Sequence, residues 1–294
     1  GDKFDYMITN PPYGDDWYSD KDFVKNEAEN PDGRFSAGIP KITDGQLLFV
    51  QHLISKMEAN PKGSRIGVVL NASPFFTGDA GSGESEIRKW IIENDWLECI
   101  ISLPGQLFFN TPISTFIWIL SNRKEDKRKG KIQLIDGSSS FKRMKKSLGQ
   151  KRNKITEIGC EQILDTYMNF SENENSQIHD NEFFGYTRVT IEQPLVENGK
   201  IVTNKQGKPK PDSSKRDYER IPLKENIDEF FTREVKPNLA NAWMDLKKNK
   251  VGYIINFNKY FYKFKPLRAL DEISSELMDL DEESRNLLQQ IIDK

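Results

Sequence analysis

The sequence predicts an α/β protein. It is built on part of a Rossmann-like sheet, mostly parallel with the last strand antiparallel, followed by a mixed, mainly helical C-terminal region. Three observations predict this. Short apolar runs alternate with helix-like spacing from residue 4 to about residue 103. The next connection contains two prolines and no helical pattern. Past residue 136 the chain turns basic, and helix-like segments follow.

The buried-strand runs are Phe4–Ile8, Ile66–Leu70, Leu97–Leu103 and Thr115–Leu120. Between the first two, Asp44 is an expected N-cap, and Leu47, Leu48, Val50, Gln51, Ile54 and Met57 follow at near-helical spacing. Between the second and third, Glu84–Asn94 places Ile87, Trp90 and Ile91 on one face. This β-α-β-α-β rhythm implies parallel strands covered by helices. Pro104–Ser114 lacks the helix that a parallel crossover needs, so Thr115–Leu120 is expected to return antiparallel.

The sheet is expected to end by about Asp136. Thr156–Phe170 reads as a helix, the Asn-rich 171–181 as a loop, and Thr187–Glu192 as a strand. Leu195–Thr203 reads as strands turning at Asn198-Gly199. Gln206–Arg216 reads as flexible and Lys224–Val235 as a helix. Leu270, Ile273, Leu277, Leu280, Leu287 and Ile291 follow 3-4 spacing, interrupted by Ser284. That stripe suits either packing on its own domain or a helix between subunits.

Composition narrows the classes. Of 294 residues, 36% are hydrophobic, enough for a core, and 30% are charged. No apolar run approaches the roughly 20 residues of a membrane helix, and no basic-then-apolar signal opens the chain. Cys99 and Cys160 have no metal or redox spacing, and a reduced, cytoplasmic setting is expected. His52 and His179 are far apart, which argues against a zinc site or a Ser-His-Asp triad, and no metal is expected. Net charge is −2, but Arg123–Lys154 carries thirteen basic residues against three acidic ones. This segment is either a solvated surface or a phosphate-binding one. A core strand begins almost at once, without a starting Met, so Gly1 is expected to lie inside a larger protein.

The most informative segment is Asn10-Pro11-Pro12-Tyr13, reached directly from the first strand. The prolines offer carbonyls without N–H groups, Asn10 adds an amide oxygen, and Tyr13 adds a flat ring. Rigid acceptors beside an aromatic plate suit a planar ring bearing an amino group, as adenine does. Two acceptors on the amine hydrogens favour a pyramidal nitrogen and stabilise the positive charge that develops on it. The bland alternative is a strand-ending turn stiffened by two prolines.

With Asp44-Gly45-Gln46-Leu47, Phe76–Ser85, Arg88–Leu97, Phe109-Asn110-Thr111, Lys131–Asp136 and Val251–Phe257, this motif makes the chain resemble the modification (methyltransferase) subunits of type I restriction-modification systems, specific for adenine N6. The resemblance covers nearly all of residues 2–294 and is weakest at 171–216. It implies S-adenosylmethionine as cofactor and DNA as substrate. It also implies a specificity subunit, a restriction subunit and a second modification subunit as partners. Asn10, Pro11, Pro12 and Tyr13 are implied as catalytic, with Tyr13 stacking on a flipped base. Phe109, rather than Phe108, is implied as the second base-stacking residue, against the alternative that both are core.

Asn10 and Pro11 would contact the donor, and the rest of its site is expected before residue 1. The chain alone is therefore expected to bind donor poorly. Lys142, Arg143, Lys145, Lys146 and Arg152 are the DNA-backbone candidates. The Gly-rich Thr77–Gly83 is either a mobile loop over the site or a structural turn. The expected division is 1–136, the second half of the catalytic domain; 137–216, a connecting region; and 217–294, helices for subunit docking. The alternatives left open are a non-catalytic interaction fragment, or methylation of RNA adenine or protein glutamine.

Overall fold

The computed structural model describes residues 2–264 and 267–292, with side chains through Gln289. Two compact units divide after Phe257. The first is built on a six-stranded sheet. Its strands are β1 (Tyr6–Thr9), β2 (Arg65–Leu70), β3 (Leu97–Ser102), β4 (Phe116–Ser121), β5 (Lys131–Asp136) and one later strand. β1 and β2 are parallel, as are β3 and β5, while β4 lies between β2 and β3, antiparallel to both. The reversed strand is thus as expected from the helix-free connection before it. Every residue of β3 is buried, which fits a central strand covered on both faces.

α1 (Lys21–Ala28), α2 (Gln46–Ser55), the short α3 (Ser73–Phe76) and α4 (Gly83–Glu93) fall between these strands. The cap of α2 differs from expectation. Gly45 occupies the N-cap position, and Asp44 instead accepts the Gln46 N–H at 3.2 Å. α4 is capped by Ser82, whose hydroxyl accepts from the Ser85 N–H.

The sheet does not end at Asp136. β6 (Phe141–Leu148) and β7 (Lys151–Ile155) form a separate antiparallel hairpin. α5 (Glu157–Asn169), capped by Thr156, follows. The segment expected as a loop then contributes β8 (Ser176–Asp180), antiparallel to β5. β8 is an edge strand with one strongly apolar residue, Ile178, so backbone pairing rather than hydrophobic pattern forms it.

The region expected to be mainly helical contains a second antiparallel sheet. β9 (Gly185–Glu192) is its centre. The hairpin β10 (Val196–Glu197) and β11 (Lys200–Ile201) turns at Asn198 and Gly199, both with positive φ. β12 (Asp217–Pro222) flanks one side of β9; β13 (Trp243–Met244) and β14 (Lys250–Tyr253) flank the other. Val189, Ile191 and Ile221 pack on Phe231 and Val235, which follow the short helix α6 (Ile227–Phe230). α7 (Phe257–Phe261) begins at the last residue of the first unit, and α8 (Leu270–Ile292) fills most of the second. Leu270, Leu277, Leu280 and Leu287 of α8 are exposed; Ile291 lies outside the described side chains.

The second sheet is joined to the first through α4. Arg88 is fully buried. Its Nε donates to the Tyr253 carbonyl (2.6 Å), Nη1 to those of Pro74 (3.0 Å) and Thr77 (2.8 Å), and Nη2 to that of Gly78 (3.3 Å). Burial lowers its pKa to about 10. A Cβ on Gly252 would lie 2.8 Å from Ala80 Cβ and Tyr186 Cζ, so only glycine permits this approach.

Candidate functional site

β1 delivers Asn10 at its carboxyl end, where Asn10 and Pro12 are exposed, Pro11 is buried and Tyr13 is half-buried. Gly14 then turns the chain with φ +69°. The Tyr13 hydroxyl donates to Asn10 Oδ1. Burial pushes the phenol's pKa above its ordinary value, and the Asn10 bond offsets this in part. Two hydrogen bonds fix the exit of the motif: Gly45 N–H donates to the Asp15 carbonyl (3.1 Å), and the Trp17 indole Nε1 donates to that of Lys41 (3.0 Å).

The next parallel strand ends beside it. Asn71, just past β2, accepts from Gln46 Nε2 (3.0 Å) and from Ser73 N–H (2.8 Å), and its own N–H donates to Gln46 Oε1 (3.0 Å). Asp44 completes this knot by accepting from Gln46 Nε2 (2.9 Å) and Ser73 Oγ (2.7 Å). The far wall is the 104–114 loop. Together Asn10, Pro11, Pro12, Tyr13, Asp15, Asn71, Phe108, Phe109, Asn110, Thr111 and Ile113 line a cleft of about 630 Å³, a size that admits a planar heterocycle. Phe108 also packs on the core around Ile101 and Ile135, whereas Phe109 is 62% exposed. Asp15 and Asn71 escaped sequence reasoning. The available signal for Asn71 was its place at the end of an apolar run, on the same sheet edge as Asn10.

The basic stretch divides in two. In its first part, buried Lys124 pairs with Asp95 (2.5 Å), Lys127 with Glu125 (3.3 Å), Arg128 with buried Glu98 (3.3 Å) and Lys129 with Asp126 (2.6 Å). The buried cations, Lys124 and Arg128, serve the fold, and the exposed Lys127 and Lys129 are neutralised by neighbouring acids. The candidates Lys142, Arg143, Lys145, Lys146 and Arg152 lie exposed on the β6–β7 hairpin, with Lys151 and Lys154 beside them. Residues 137–156 contain no acidic side chain. Among the described residues, none of these seven cations enters an ion pair.

The Thr77–Gly83 loop contributes nothing to the lining of the cleft. Asp79 instead reaches Arg188 (2.9 Å), Arg220 (3.3 Å) and the Tyr186 hydroxyl (2.7 Å). The loop is built into the junction with the second sheet.

The family model for the N-6 DNA Methylase matches residues 1–193, and the chain belongs to that family. Over 200 residues it is 28% identical to the type I restriction enzyme MjaIX methylase subunit of Methanocaldococcus jannaschii, covering 68% of this chain and 34% of the relative. Over 135 residues it is 36% identical to the HindI methylase subunit of Haemophilus influenzae, covering 46% and 27%. A solved type I restriction-modification methyltransferase subunit from Streptococcus thermophilus is 27% identical, with a TM-score of 0.51, covering 61% of this chain and 35% of that one. The chain spans about a third of the length of the curated relatives it matches. Among the described residues, no helix is long and apolar enough to cross a membrane.

Proposed function

We propose that this chain carries the base-binding half of an S-adenosylmethionine-dependent methyltransferase. It would act on adenine N6 in duplex DNA, within the modification subunit of a type I restriction-modification complex. The observation that carries this reading is the convergence of Asn10, Pro11, Pro12, Tyr13 and Phe109 on one cleft at the carboxyl end of the sheet. Asn10 Oδ1 and the Pro11 carbonyl accept the two amine hydrogens of a flipped adenine, which pyramidalises N6 and stabilises its developing positive charge. Asn10 Oδ1 has two lone pairs, so its bond from Tyr13 leaves one for the amine. Tyr13 and Phe109 flank the ring.

When bound, S-adenosylmethionine supplies the electrophilic methyl group. The residues of this chain that would face it are Asn10 and Pro11, at the open flank of β1, where Tyr6 and Ile8 are 77% and 91% exposed. One flank of contacts gives weak affinity, so tight saturable donor binding by this chain alone would contradict the assignment. The hairpin cations, Lys142, Arg143, Lys145, Lys146 and Arg152 among them, would hold DNA phosphates, which adds affinity without sequence choice. The apolar stripe of α8 would dock the specificity subunit, and the restriction subunit and a second modification subunit would complete the assembly.

The test is labelled-methyl transfer to duplex DNA by the complete complex, with Asn10→Ala beside wild type. Label in adenine N6 that disappears in the variant is the expected result. Label that persists removes Asn10 from the mechanism. Label found in RNA or in protein glutamine, and not in DNA, overturns the substrate.

A further inference from the structure

The unpaired basic hairpin is bolted to the loop that carries Phe109. Four hydrogen bonds join them. Gln150 N–H donates to the Phe109 carbonyl (2.9 Å). Arg152 N–H (2.9 Å) and Asn153 N–H (3.1 Å) both donate to the Gln106 carbonyl. Asn153 Nδ2 donates to the Gly105 carbonyl (2.9 Å). Asn153 is itself buried, the one uncharged side chain in Lys151–Lys154.

Two backbone features show how closely the parts are matched. Gly149, at the tip of the hairpin, has φ +57°, and a Cβ there would lie 3.0 Å from Phe109 Cε2 and 2.9 Å from its carbonyl oxygen. The Phe109 ring therefore rests against the glycine tip on one side and faces the cleft on the other. Gln106 has φ +55°, a region that side-chain-bearing residues rarely adopt. Such a conformation persists where its surroundings over-determine it, and here the carbonyl of Gln106 is held by two hairpin N–H groups.

We propose that the β6–β7 hairpin is a DNA-backbone clamp mechanically joined to the Phe109 loop, with Asn153 and the Gly149–Gln150 turn as positioning residues that hold Phe109 at the cleft when the hairpin lies on duplex DNA. The inference rests on the reading of the cleft as a base pocket. The chemistry of the hairpin selects the partner: seven cations without one acid on an extended ribbon match a polyanion of regular phosphate spacing. Because the hairpin and the loop share these bonds, immobilising the hairpin restricts the loop. Phosphate binding would thus be felt at Phe109 without any cation entering the cleft.

The test is amide hydrogen exchange of the 294-residue chain with and without a short random-sequence DNA duplex at low salt, alongside binding titrations against salt. In wild type, duplex DNA is expected to slow exchange in 105–111. Lys145→Gln with Lys146→Gln is expected to weaken binding about tenfold and to lower the slope of log affinity against log salt by about 2. Asn153→Ala, which removes the one side-chain bond of the four, is expected to keep duplex affinity and salt slope while the DNA-dependent protection of 105–111 is reduced.

The proposal is overturned if the double-glutamine variant binds as wild type does. It is also overturned if wild-type binding leaves 105–111 unchanged, if Asn153→Ala shows the wild-type protection, or if RNA is bound in preference to the duplex. Protection of the loop without methyl transfer by the complete complex would defeat the enzyme reading alone. Absence of any duplex binding by this chain would overturn the clamp and leave the enzyme reading to the methyl-transfer test on the complete complex.

Discussion

Asp79 Oδ2 and Arg188 Nε lie 2.9 Å apart, and this pair ties the glycine-rich turn after α3 to the central strand of the second sheet. Burial raises the Asp79 carboxyl's pKa. The Tyr186 hydroxyl, the Ala80 N–H, Arg220 and Arg188 outweigh burial and hold it below the ordinary carboxylate range. Burial and Asp79 in turn push the Tyr186 phenol up to about 12, so it stays a donor through neutral pH. The folded state therefore protonates the Asp79 carboxylate less readily than the unfolded chain does. The resulting stabilisation is present above the unfolded carboxylate value of about 3.9 and is lost as pH falls through the folded value. Exchange of the 77–83 amides is expected to accelerate in that acid window in wild type. Asp79→Asn is expected to accelerate it at neutral pH and to flatten the dependence. An unchanged acid window in Asp79→Asn would assign it to another group.

Glu98 and Arg128 form the corresponding link at the opposite end of the strands. Glu98 is fully buried; its Oε1 accepts from the Tyr167 hydroxyl (2.8 Å) and faces Arg128 Nε (3.3 Å), and Oε2 faces Arg65 Nη2 (3.2 Å). The Arg128 guanidinium sits 4.4 Å and 4.5 Å from the Tyr167 and Phe170 ring centres and donates to Gln133 Oε1 and the Tyr167 carbonyl. Removing one partner strands a buried charge, at a cost of about 3–5 kcal/mol. Glu98→Leu is expected to lower the unfolding free energy measured in urea by about that amount, and Glu98→Leu with Arg128→Met to recover much of it. A double variant as unstable as the sum of the two single ones would show that the charges are not coupled.

The sequence announced some of these elements and concealed others for definable reasons. β1 to β4 were legible as short apolar runs, most plainly β3, which is buried on both faces, and β4's reversal because residues 104–114 cannot form a crossover helix; β5 was not read as a strand. β6 and β7 were not, since a hairpin exposed along its length needs no apolar alternation and Phe-Lys-Arg-Met-Lys-Lys shows none. At the site, four of the lining residues were legible because they are contiguous. Asp15 and Asn71 become neighbours only when β1 pairs with β2. Asn153 could not be read as part of the loop's support, because its partners Gly105 and Gln106 lie almost fifty residues away.

Tyr13 offers two separable contributions to the proposed chemistry, a ring and a hydroxyl. The hydroxyl donates to Asn10 Oδ1, and with its pKa above the ordinary phenol value it remains protonated through neutral and mildly alkaline pH. Tyr13→Phe removes this donor and leaves both lone pairs of Asn10 Oδ1 for the adenine amine, while keeping the half-buried ring. Tyr13→Ala removes the stacking plate, worth about 1–3 kcal/mol per base. In the complete complex, Tyr13→Phe is expected to retain kcat/KM for methyl transfer within about tenfold, and Tyr13→Ala to lose roughly one to two orders of magnitude. A loss of equal size in both variants would assign the residue's role to the hydroxyl that orients Asn10. A negligible loss in both would leave Phe109 as the stacking residue of the cleft.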